Sequence, residues 1–91
     1  MAHPEPRFEI DLHGVTVARA KERLAQELYT CRVRRETPVL VIVGRGWGNR
    51  DQQSVLGPAI RAFLSGPEGR ALGVVECRTV RRGGALLVRL A

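Results

Sequence analysis

Ninety-one residues make one domain, and a chain this short buries only roughly 60–65% of its unfolded surface. With 44% hydrophobic residues it needs no metal or disulfide to fold, and no stretch reaches the roughly 18 apolar residues of a membrane helix. The net charge is +6, and Lys21 is the only lysine among 15 basic residues. An arginine-dominated basic balance points to nucleic acid, because the planar guanidinium fork suits phosphate. An arginine-rich genome is the competing explanation of composition alone.

In chain order, Met1–Arg7 carries Pro4 and Pro6 and no apolar run. It reads as a flexible arm with no secretory leader, and His3 within it has no assigned role. The domain proper is expected over residues 8–91. Phe8–His13 alternates apolar and polar with period two, the pattern of a half-buried strand. Phe8, Ile10 and Leu12 share one face, and Glu9, Asp11 and His13 the other. Gly14 stops the strand. Thr16 is the expected N-cap of a helix whose stripe is Val17, Ala20, Leu24, Leu28 and Cys31. Arg23 and Glu27 form an (i, i+4) pair on its outer side. The helix should fade between Arg32 and Glu36, ahead of Pro38.

Val39–Val43 is a continuous aliphatic run, which marks an inner strand buried on both faces. Strand, helix and strand imply a βαβ unit with parallel strands. Gly44-Arg45-Gly46-Trp47-Gly48-Asn49-Arg50 follows, a loop whose glycines permit close backbone approach and an anion-binding concavity. It lacks the Gly-Lys-Ser/Thr ending of a P-loop. If the two strands pair, His13 and Gly44–Gly48 meet at one edge of the sheet. Alternatively the loop is a plain connector with Trp47 packed down as a lid.

A second helix is expected over Val55–Leu64, with Pro58 in its first turn and Leu56, Ala59, Ile60, Phe63 and Leu64 as its stripe. Glu68–Arg70 is a connector. Ala71–Arg78 and Ala85–Leu90 read as an antiparallel hairpin joined by Thr79–Gly84, which carries Arg81 and Arg82. The order βαβαββ gives a two-layer α/β sandwich: a four-stranded mixed sheet with two helices on one face and the other face open. Cys31 and Cys77 show no ligand spacing, and two reduced thiols in a cytoplasmic protein are expected.

These motifs together resemble a known family. Ile10-Asp11-Leu12-His13-Gly14 is similar to the Leu-Asp-Leu-His-Gly opening of the Small MutS-related (Smr) domain. Val39–Val43 with Gly44-Arg45-Gly46-Trp47-Gly48 resembles its second motif, usually His-Gly-Lys/Arg-Gly-x-Gly. Leu56–Leu64 resembles its second helix, and Gly83-Gly84-Ala85 its Gly-Gly-x-Gly-Ala ending. The resemblance spans Phe8 to Leu90 and identifies the chain as a stand-alone bacterial member without an ATPase segment.

The resemblance implies a fold similar to the C-terminal domain of translation initiation factor three. It implies binding of RNA or DNA and endonuclease activity, in ribosome rescue or in DNA recombination and repair. Asp11 and His13 match the motif tied to cleavage. Gly44, Arg45, Gly46, Trp47, Gly48 and Arg50 match the loop tied to nucleic-acid contact, which Arg81 and Arg82 extend. His13 would move a proton, and Asp11 would fix its tautomer or hold a Mg2+. Asp11 and His13 alone are too few ligands for a resident metal. Where the family has a histidine before the loop glycine, this chain has Val43. That departure keeps open a nucleic-acid- or ribosome-binding module without catalysis. The oligomeric state is open.

Overall fold

The computed structural model describes residues 5–44 and 50–91, and within these the side chains of residues 50–55 are left out of account. The described residues form β1 (Phe8–Asp11), α1 (Val17–Arg34), β2 (Val39–Ile42), α2 (Arg50–Ser65), α3 (Pro67–Ala71), β3 (Val74–Val80), a 3-10 turn (Arg81–Gly83) and β4 (Ala85–Leu90). The sheet order is β1-β2-β4-β3. β1 and β2 run parallel, as the βαβ pattern requires, while β4 is antiparallel to both β2 and β3.

The core follows from two periodicities. Ile10, Val39, Val41, Leu86 and Val88 project from one face of the sheet. They meet Ala20, Leu24, Leu28 and Cys31 of α1 and Leu56, Ile60, Phe63 and Leu64 of α2 in a single cluster. Each such side chain removed from water contributes about 1.5–3 kcal/mol. The aliphatic run of β2 is buried throughout because both of its faces are apolar. On the far face Leu40, Ile42 and Ala85 form a smaller cluster with Val80 and Leu87. Glu9, Asp11, Glu76, Arg78 and Arg89 surround it, by the strand register. Both long helices therefore lie on one face, and the face bearing Glu9 and Asp11 has an apolar centre rather than a purely polar one.

Three boundaries differ from the sequence reading. Helix α2 starts at Arg50, five residues early, and Pro58 lies inside it rather than in its first turn. Proline removes one intrahelical bond, but packing of Leu56 before it and Ile60, Phe63 and Leu64 after it outweighs that loss. The expected connector at Glu68–Arg70 is the short helix α3, which makes three helices among the described residues rather than two. Pro67 occupies its first turn, where a missing N–H costs nothing. β3 consequently begins at Val74, not Ala71, and it runs on to Val80. Helix α1 agrees with its sequence pattern: Thr16 Oγ1 accepts from the Arg19 amide, and Arg35 closes the helix in the left-handed region.

Gly69 shows how tightly α3 is seated. A Cβ at this position would lie 1.9 Å from the Leu64 carbonyl oxygen. Gly69→Ala is expected to cost about 2 kcal/mol through overpacking, read as a lower urea midpoint with an unchanged slope.

Candidate nucleic-acid interface

Parallel pairing puts the C-terminal ends of β1 and β2 at one rim. Ala85, the first residue of β4, pairs with both Ile42 and Val80, so the β3–β4 connection leaves from the same rim. The joints are specific. The Leu12 amide donates to the Ile42 carbonyl at 2.7 Å. The Val43 and Gly44 amides then both turn to the Gly84 carbonyl, at 2.9 and 3.1 Å. A Cβ on Gly84 would lie 3.1 Å from the Gly44 carbonyl oxygen, so a side chain here would press the two backbones apart by a few tenths of an ångström.

His13 lies in the turn just beyond β1 and not on the strand as the period-two pattern suggests. The turn is closed by the Val15 amide donating to the Leu12 carbonyl, and Gly14 takes φ +81°. Asp11 ends the strand, and its Oδ1 accepts from the His13 amide at 3.1 Å and lies 2.6 Å from His13 Nδ1. An ionised carboxylate only accepts, so this contact places the proton on Nδ1 and leaves Nε2 for other chemistry. The two side chains are 40% and 32% exposed, which is open enough for a large substrate.

Arg23 is a member of this constellation that the sequence reading placed only on the helix surface. Its Nη1 donates to the Asp11 main-chain carbonyl at 2.9 Å. Its Nη2 and Nε donate to Glu27 Oε2 at 3.0 and 3.3 Å. The usable signal was topological: β1 is an edge strand, and edge carbonyls need partners from elsewhere.

Arg81 and Arg82 are exposed at the rim in the β3–β4 connection. Both adopt left-handed backbone, φ +53° and +54°, and Gly83 follows at +90°. Two consecutive non-glycine residues in this region cost roughly 1–2 kcal/mol each. Beside them Arg61 of α2 donates to Thr79 Oγ1 of β3.

Of the loop, Gly44 is half-buried against the connection, whereas Arg45, Gly46, Trp47 and Gly48 lie outside the described residues. Arg50 opens α2, and its side chain likewise lies outside them. Val43 is buried in the core, 3.7 Å from the point a Cβ on Gly57 would occupy. The described residues contain no group of three or more His, Cys, Asp or Glu that could hold a metal ion. Burial pushes the thiols of Cys31 and Cys77 above the ordinary range, which leaves both poor nucleophiles. No described helix is long and apolar enough to cross a membrane.

Comparison with known proteins agrees with this geometry. The Smr domain family model matches residues 10–91. The fold is similar to the crystal structure of the Smr domain of Thermus thermophilus MutS2, with a TM-score of 0.71 and 28% sequence identity. That match covers 91% of this chain and 96% of the other. A search of curated protein sequences returns no significant match.

The strain at Arg82 is testable. Arg82→Gly should raise the thermal midpoint by relieving about 1 kcal/mol, and should weaken retention on a heparin column. A lower midpoint would mean that the guanidinium has a structural partner.

Proposed function

The chain belongs to the Smr domain family, and on that premise we propose that it binds RNA or DNA across this rim and cleaves the phosphodiester backbone by proton transfer through His13. Smr domains are nucleic-acid-binding, nuclease-like domains. The observation that carries cleavage is the Asp11–His13 pair, which leaves Nε2 as the proton-transfer atom on an exposed ring.

On RNA, Nε2 takes the 2′-hydroxyl proton as that oxygen attacks phosphorus. The bond to the 5′-oxygen breaks and water protonates that oxygen, giving a 2′,3′-cyclic phosphate and a 5′-hydroxyl, and the imidazolium returns its proton to the hydroxide that is left. Asp11 holds the ring in the required tautomer and stabilises the imidazolium that forms. Arg81 and Arg82 offset the charge that builds on the phosphorane, with Arg45, Arg50 and the loop amides as proposed further contacts. Exposed arginines suit phosphate oxygens, and recognition of the backbone rather than of base edges is proposed. Ribosome rescue or recombination and repair, in the cytoplasm, is the proposed context.

Val43 supports a second reading. A buried valine presents nothing to substrate where the family pattern has an imidazole, as a binding module without catalysis would allow. Incubating the protein with labelled single-stranded RNA, duplex DNA and branched DNA, with and without Mg2+, separates the two readings. His13→Ala should slow cleavage by roughly 10²–10⁴-fold while affinity changes only a few-fold. Equal rates in wild type and variant would remove His13 from the mechanism. Salt-sensitive binding without products in the wild type would establish the binding module instead.

A further inference from the structure

We propose that Arg23 is a positioning residue for His13, acting through the peptide unit that joins Asp11 to Leu12. This rests on the reading of His13 as the proton-transfer group.

The argument begins with the edge position of β1. Every second carbonyl of an edge strand points away from the sheet, and the Asp11 carbonyl is one of these. Arg23 Nη1 satisfies it at 2.9 Å. The amide at the other end of the same peptide unit, that of Leu12, donates inward to Ile42. One rigid plane is therefore held at both ends, by a helix on one side and by the neighbouring strand on the other. That plane fixes ψ of Asp11 and φ of Leu12. These torsions set where the Asp11 carboxylate lies relative to the His13 amide and ring.

Glu27 completes the device. Its Oε2 accepts from Nη2 and Nε, which turns the planar fork so that Nη1 faces the strand. Arg23 is 38% exposed and Glu27 30%, so the pair adds little to stability by ordinary surface-pair standards. Its consequence is orientational. An ammonium on a lysine stem can reach one carbonyl but cannot span both partners with fixed geometry.

The test reads the imidazole directly by 15N NMR and, separately, by cleavage kinetics. In wild type the Nδ1–H tautomer should dominate. Arg23→Ala should mix the tautomers and lower kcat roughly 10- to 100-fold with KM nearly unchanged. Arg23→Lys should restore part of both effects. Glu27→Ala, which leaves Arg23 in place, should shift both readouts in the same direction by less, and it serves if Arg23→Ala does not fold. An unchanged tautomer and unchanged kcat in folded variants would overturn the inference. A shifted tautomer in a protein whose wild type cleaves nothing would uphold Arg23 as the positioning residue and overturn the cleavage reading. Normal kcat in Arg23→Ala beside a dead His13→Ala would do the reverse.

Discussion

The structure depends on a change of partner along β2. Up to Ile42 this strand pairs with β1 on one side and β4 on the other. Beyond it, the Val43 and Gly44 amides both go to the Gly84 carbonyl. In a regular parallel ladder the Gly44 amide would donate to the Leu12 carbonyl instead. Because it does not, that carbonyl is free to accept from Val15 and close the turn bearing His13. One redirected hydrogen bond thus holds Gly44 against the β3–β4 connection and lets the turn bearing His13 close. Glycine at 84 leaves the two backbones room for this tight approach.

The arginines at this rim are placed at a cost. Arg81 and Arg82 sit in backbone conformations that glycine or asparagine would adopt with less strain. The residues on either side hold them there: Val80 and Ala85 pair across the hairpin, and the Gly84 amide donates to the Arg81 carbonyl. Neither side chain is buried, so packing does not explain their retention. Strain and positive charge thus coincide at the rim where β1 and β2 end.

Period and composition made much of this readable. The alternation over Phe8–Leu12 and the unbroken run Val39–Val43 have single physical solutions, and parallel pairing of the two follows from the intervening helix. That was enough to bring Asp11, His13 and Gly44 together. What stayed hidden had specific causes. Pro58 acts as a start signal for a helix only when nothing upstream packs, and Leu56 does pack. Five residues, Pro67–Ala71, are too few to show a helical period. Leu72, Val74 and Val75 read as one strand because apolarity alone does not mark where a short helix hands over to it. Arg23 looked complete with Glu27 because sequence spacing shows neighbours along a helix and not the edge of a distant strand. The loop residues Arg45–Gly48, singled out from the sequence, lie outside the described residues.

The burial of Val43 bears on which backbone this rim could cut under the proposed mechanism. With a valine in the core at that position, His13 is the one imidazole among the described residues, and its Nδ1 is committed to Asp11. One free nitrogen can carry one proton at a time. DNA hydrolysis needs an external water to be held, deprotonated and aligned opposite the leaving oxygen. RNA brings its own nucleophile, the 2′-hydroxyl, already tethered next to the phosphorus, and asks the protein for a single proton acceptor to begin. Under the proposed mechanism, a rim with one imidazole and exposed arginines meets the second requirement with fewer groups than the first.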